Sequence, residues 1–215
     1  MVKLCYHGIF QPKQHFIVVR DRKTNKGKKK YIFNDKTINK IIKHQKDYED
    51  IFVSKYAKNG VVSCIIWDFD SDTRSEAYDE IAICKEKLDN LGFNCIIVDS
   101  TNKGYHLYIQ MQPLPFDDES FNEFQNLLLN KININLKTLD KANHNAGLGG
   151  NIRCINSIHP STLKKVSIID GEFINYNYPN QTAYELRLAA EKKQFSLEIS
   201  TMSLDERKEL YKQIQ

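Results

Sequence analysis

Val61-Val62-Ser63-Cys64-Ile65-Ile66-Trp67-Asp68-Phe69-Asp70 is an almost continuous apolar run, rich in β-branched residues, that ends in two carboxylates. Such a run predicts a strand buried on both faces. Side chains two apart on a strand project from the same face, so Asp68 and Asp70 share one. Two carboxylates ending a buried strand are costly unless water or a cation meets them. Their hard oxygens suit Mg2+ or Mn2+. A loop acid pair or a helix cap is the plainer reading, although Asp72 can serve as the cap instead.

C-terminal to this strand, Thr73-x-x-Glu76 predicts a capping box. It opens a helix with positions 77, 81, 84, 88 and 91 on one face, stopped by Gly92. Asn94–Val98 predicts a strand, Asp99–Gly104 a polar turn and Tyr105–Met111 another strand. Phe121, Phe124, Leu127 and Leu128 mark a helix, and Asn151–Ile155 a further strand. The order over 61–155 is β-α-β-β-α-β, the ferredoxin-like or RRM arrangement. It puts the first and third strands side by side in the sheet centre.

N-terminal to it, His15–Arg20 and Tyr31–Phe33 read as a hairpin around the basic turn Asp21–Lys30. Apolar residues at 38, 41, 42, 48, 52 and 56 predict one helix from Asp35 to about Lys58, ended by Asn59-Gly60. Beyond residue 160, Val166–Asp170 and Phe173–Tyr176 flank Gly171 as a small hairpin. Thr182-x-x-Glu185 and Ser203-x-x-Glu206 then open two helices. The expected fold class is α/β in the broad sense, more narrowly α+β. An RRM-like module over 61–160 carries an N-terminal α/β module (1–60) and a C-terminal hairpin with helices (161–215) packed on it as one body.

The chain has 215 residues, 41% hydrophobic and 27% charged, a composition that excludes collagenous and mainly disordered classes. No apolar run approaches the ~18 residues of a membrane helix. Met1–Phe10 lacks the apolar core of a signal peptide. A cytoplasmic protein without membrane partners is expected. Cysteines at 5, 64, 84, 95 and 154 form no C-x-x-C pair, which argues against a disulfide framework or a zinc knuckle. The net charge is +4, but Arg20–Lys46 alone carries eleven Lys and Arg against Asp21 and Asp35, a local +9. That concentration points to a polyanion. Lys23, Lys26, Lys28, Lys29 and Lys30 are the candidates to meet it. A bias toward Lys (25, against 6 Arg) is the compositional alternative.

Further candidates lie downstream. Ser100-Thr-Asn-Lys103-Gly104-Tyr-His106 offers a hydroxyl, a lysine and a glycine in a turn, a set that suits phosphate contact. His106 starts the strand beside the one carrying Asp68 and Asp70. Asp140 precedes the polar, Gly-rich stretch Asn143–Gly150 and also fits a turn. Arg153 interrupts an apolar strand and needs an anion, carboxylate or phosphate, because guanidinium does not deprotonate. Ser157-x-His159 follows it.

Together these pieces resemble the archaeo-eukaryotic primase superfamily, the small-subunit primases and primase-polymerases, over roughly residues 61–160. Asp68-x-Asp70 is similar to the family's first motif, a pair of metal ligands. Ser100-x-x-x-Gly104-x-His106 is similar to the second, whose histidine contacts the phosphates of the incoming nucleotide. Asp140, with Arg153 and Ser157-x-His159, is similar to the third ligand and its basic strand. Many members have Ser where Gly104 stands, and the zinc-binding clusters of many members are not visible here. The resemblance implies a single primase-polymerase catalytic domain. It implies two Mg2+ or Mn2+ ions on Asp68, Asp70 and Asp140, and nucleoside triphosphates held by Ser100, Lys103, Gly104, His106, Arg153, Ser157 and His159. It also implies a single-stranded DNA template and, as partner, a helicase or primase accessory subunit. Two other classes compete. One is a non-catalytic RRM-like nucleic-acid binder. The other is a haloacid-dehalogenase-type phosphatase, whose opening motif wants Thr or Val where Asp72 stands.

Overall fold

The computed structural model describes residues 14–23, 28–176 and 178–214. Cys5 and the Met1–Phe10 segment lie outside them. The chain runs β1 (Phe16–Asp21), β2 (Lys28–Ile32), α1 (Asp35–Lys43), β3 (Glu49–Ser54), β4 (Val61–Asp70), α2 (Arg74–Asn90), β5 (Asn94–Asp99) and β6 (Gly104–Pro115). It continues with α3 (Asp118–Ile132), α4 (Lys141–His144), β7 (Asn151–Arg153), β8 (Ser167–Asp170), α5 (Gln181–Thr201) and α6 (Leu204–Ile214).

Two four-stranded sheets result, in the orders β2-β1-β3-β7 and β4-β6-β5-β8. Their pairings are antiparallel throughout. Alternation along β4 explains its unbroken apolar sequence. Cys64 and Ile66 join a core with Ile96, Val98 and Tyr108 of their own sheet and Ile17, Ile51, Val53 and Ile152 of the other. Ile65, Trp67 and Phe69 face the opposite way, into a core completed by Ala77, Ile81, Phe121, Phe124, Ala183 and Ala190 of α2, α3 and α5. Asp68 and Asp70 continue the series of Cys64 and Ile66. They therefore emerge on the sheet-facing-sheet side, where the run of apolar residues stops.

The structure corrects several sequence expectations. The single helix over 35–58 is α1 followed by β3. Its spacing was helical only to Ile42; Ile51 and Val53 are buried at a period of two. Asn151–Arg153 does not close the RRM-like sheet. It pairs with β3 instead, and β8 supplies the fourth strand, beside β5. β4 accordingly neighbours β6 as expected but stands at the edge of the four strands. A one-residue bridge between Phe69 and Leu139 extends it there. The 166–176 hairpin is not formed: β8 pairs with β5, and residues 173–176 are not assigned to a strand. Thr73 makes no side-chain cap. Ser71 Oγ bonds Glu76 instead. Asn180, not Thr182, caps α5 by accepting from the Ala183 amide. The Ser203/Glu206 box is formed.

Candidate active site at the C-terminal end of β4

Three carboxylates share one face. The amide of Asp140 donates to the Asp68 carbonyl, and that of Asp70 to the Thr138 carbonyl, both at 2.8 Å. With the Phe69–Leu139 bridge between them, these bonds set Asp140 directly across from Asp68. On the other side of β4, Asp68 is paired with His106 of β6. His106 Nε2 lies 3.6 Å from Asp68 Oδ1. Burial, then the charges of Asp68 and Asp140, push the Asp70 carboxyl above its usual range. Crowded hard carboxylate oxygens are what a divalent cation relieves. The donor chemistry therefore fits Mg2+ or Mn2+. Among the described residues, however, no three His, Cys, Asp or Glu side chains already converge on a point that would hold an ion.

Lys55, which the sequence reading missed, faces this cluster from the segment after β3. It is 2% exposed. Burial lowers its pKa to about 8 against the opposing pull of Asp68 and Asp140. Nothing distinguishes it in sequence from the other lysines. His106 is also buried. Desolvation outweighs the field of Asp70, and Lys55 and Arg153 lower its pKa further, to about 3. It is thus a neutral imidazole near pH 7, able to hydrogen-bond a phosphate without adding charge. Its Nδ1 is buried without a hydrogen-bond partner.

A cavity of about 150 Å3 opens over these groups. Asp68, Asp70, Ser100, Lys103, His106, Arg153 and His159 line it, together with Phe52, Asn102 and Asn151. Most of the expected phosphate contacts are therefore brought together across the two sheets. Lys103 reaches Asp72 at 3.1 Å and is largely exposed. Ser100 Oγ donates to the Gly104 carbonyl at 2.7 Å. Gly104 is pressed against the Phe69 carbonyl of β4. Arg153 pairs with Asp50, a buried carboxylate that also accepts from Arg22 Nε at 2.5 Å. That explains why β7 joins the first sheet: its counter-ion is there. Asp50 and Arg22 gave no sequence signal. Ser157 does not line the cavity; it is fully buried, and its hydroxyl donates to the Cys154 carbonyl at 2.6 Å.

A larger groove of about 630 Å3 adjoins the cavity and shares Asn151 with it. Volume alone would select this groove, but Asp68 and Asp70 line the smaller cavity, and Asp140 lines neither. Its floor is the face of the first sheet that carries Phe16 and Val18, and its rim includes Gly149 and Gly150. Lys30 and Lys58 place their ammonium groups 3.8 and 4.1 Å from the Phe16 ring centroid. The basic hairpin is thus not one surface. Val18 is opposite Lys30 and Val19 opposite Lys29, so these two lysines point to opposite faces of β2. Lys23 lies over the Tyr48 ring. Lys26 lies outside the described residues, and Lys28 is placed only by its backbone, across from Arg20. No helix among the described residues is long and apolar enough to cross a membrane.

No protein-family model matches the chain, and no curated protein does. Solved structures do. The archaeo-eukaryotic primase domain of the cyanophage S-2L primase-polymerase matches with TM-score 0.57 at 11% identity, over 81% of this chain and 89% of that one. The catalytic domain of primase RepB', solved in complex with initiator DNA, matches with TM-score 0.60 at 13% identity, over 89% and 92%. A longer RepB' structure matches with TM-score 0.59 at 12% identity, over 95% of this chain and 65% of that one. The chain has the fold of an archaeo-eukaryotic primase-polymerase catalytic domain.

Proposed function

We propose that the protein is a template-dependent nucleotidyltransferase that starts or extends primers on single-stranded DNA. The observation that carries this reading is the placement of Asp68, Asp70 and Asp140 on one face of paired strands, at the cleft between two sheets of a primase-like fold. Two Mg2+ or Mn2+ ions held by these carboxylates would supply charge neutralisation at the α-phosphate and a more acidic attacking hydroxyl.

The protein's own groups do the rest. A cavity of about 150 Å3 fits phosphates and ions rather than a whole nucleotide. The triphosphate would lie there, against Lys103, His106, Arg153 and His159. His106, being neutral, would donate one hydrogen bond rather than a charge. Lys55 would keep part of the carboxylate charge compensated before the ions arrive. A primer 3′-hydroxyl, or that of a first bound nucleotide, would attack the α-phosphorus in line and release pyrophosphate. The adjoining groove would take the template, with Lys30 and Lys58, held over the Phe16 ring, available for its phosphates. A helicase or primase accessory subunit would be the chain's protein partner.

The decisive experiment is incubation with single-stranded DNA, labelled ribo- or deoxynucleoside triphosphates and Mg2+ or Mn2+, without primer. Template-dependent products are expected. Absence of incorporation, with and without an annealed primer, would overturn the reading and leave a nucleic-acid binder.

A further inference from the structure

On the other side of β2 lies a second groove, of about 600 Å3, outside the catalytic cleft. It opens between the edge strand β2 and helix α1. Lys29 and Tyr31 reach it because their register partners, Val19 and Ile17, are on the inward face of the sheet. From α1 and its C-cap, Lys36, Lys40 and His44 face it at i, i+4 and i+8, one stripe of the helix continued into the cap. Val19 and Ile41 give it an apolar floor. The single acid on its rim, Glu49, already accepts from the Lys46 amide at 3.0 Å. Cationic walls, an apolar floor and a Tyr31 ring 38% exposed are the combination that takes sugar-phosphate along the walls and a base on the ring.

We propose that this groove binds single-stranded DNA outside the catalytic cleft and lengthens the protein's footprint on its template. Lys29 and Lys30, adjacent in sequence, open on the two grooves, so one strand passing over the β2 edge meets both. The template role rests on the primase reading; the binding itself does not.

The test is the Lys36→Glu/Lys40→Glu variant. Both side chains are exposed and neither is part of the catalytic cavity. Affinity is measured directly with oligodeoxythymidylate of about 10 and about 30 nucleotides over a salt series. The variant should lose about 10-fold or more in affinity for the long oligomer at low salt, and its salt slope should fall by about two units. Affinity for the short oligomer, and incorporation on a saturating short template, should be unchanged. A Lys131→Glu/Lys192→Glu variant, with the same charge change elsewhere, should bind both oligomers like the wild type. Unchanged long-oligomer affinity, equal losses at both lengths, or an equal loss in the control variant would each overturn the proposal. If no enzyme incorporates nucleotide but the length-dependent loss persists, the primase reading fails and the groove stands.

Discussion

Gly104 is packed so closely on Phe69 that a β-carbon at position 104 would stand 1.6 Å from the Phe69 carbonyl oxygen. This contact lies where β6 begins to pair with the Asp68–Asp70 end of β4. The serine that many primases have at the corresponding position has no room here. Gly104→Ser should therefore fail to restore a phosphate contact. It should push β6 away from the carboxylates, costing about 3 kcal/mol or more. The check is a melting temperature and an incorporation assay on the variant. A stable, more active Gly104→Ser protein would refute the steric account.

Asp70→Asn keeps the shape of the side chain and removes its charge. Because burial and the neighbouring carboxylates already raise the Asp70 pKa, losing that charge relieves repulsion. The metal-free melting temperature should hold or rise while incorporation is abolished. Mn2+ should stabilise the wild type in thermal melts, as any ligand of the native state does, and stabilise the variant much less.

Much of this site was legible before the structure, and the reason is local. Asp68 and Asp70 sit on a strand so apolar that its carboxylates stand out, and a period of two fixes their common face. Position 140 needed the motif order as well, since a lone aspartate in a turn carries no signal. Lys55, Asp50 and Arg22 were not legible: each acts through a partner distant in sequence, across sheets or strands that spacing cannot align. The β3 strand was hidden for a related reason. Positions 48, 52 and 56 continue a helical count by coincidence, and only the alternate burial of Ile51 and Val53 breaks it.

Arg153 has two roles that substitution can separate. Removing it leaves Asp50, 1% exposed, with Arg22 as its remaining ion-pair partner. Arg153→Ala should lower the melting temperature through about 1–3 kcal/mol of lost pairing. Asp50→Asn should lower it similarly. If the guanidinium also holds phosphate, Arg153→Ala raises the nucleotide KM about 10-fold or more while Asp50→Asn does not. Equal KM values in the two variants would assign Arg153 to the sheet alone.

Lys55 competes electrostatically with any cation on Asp68 and Asp140. Lys55→Met keeps the volume and removes the ammonium. The Mn2+ concentration giving half-maximal thermal stabilisation should fall in this variant. A midpoint that rises, or does not move, would mean that the lysine does not act on the carboxylates.

Acid should destabilise this protein first through histidines, and at lower pH also through Asp50, Glu80 and Asp117, whose ion pairs and hydrogen bonds hold their carboxyls below the usual range. Burial, the largest cause in each case, lowers the pKa of His144 and His159 to about 4 and that of His106 to about 3. In the unfolded chain these groups titrate near 6.5. Between pH 6.5 and 4 the unfolded state therefore binds protons that the folded state refuses. Stability falls as pH falls across that window, by at most about 1.4 kcal/mol per pH unit for each histidine. Asp70 works in the opposite direction: its raised pKa lets the folded protein take up a proton before the unfolded one does, one group against three. Melting temperature should thus drop steeply from pH 7 to pH 5, in metal-free protein. His159→Asn offers the decisive comparison. His159 Nδ1 accepts from the Ser161 amide at 3.1 Å, and an asparagine carbonyl can replace that acceptor without titrating. The variant should be flatter in its pH dependence by up to one proton released on folding. An identical slope in the two proteins would show that His159 is protonated in the folded state and would remove it from the account.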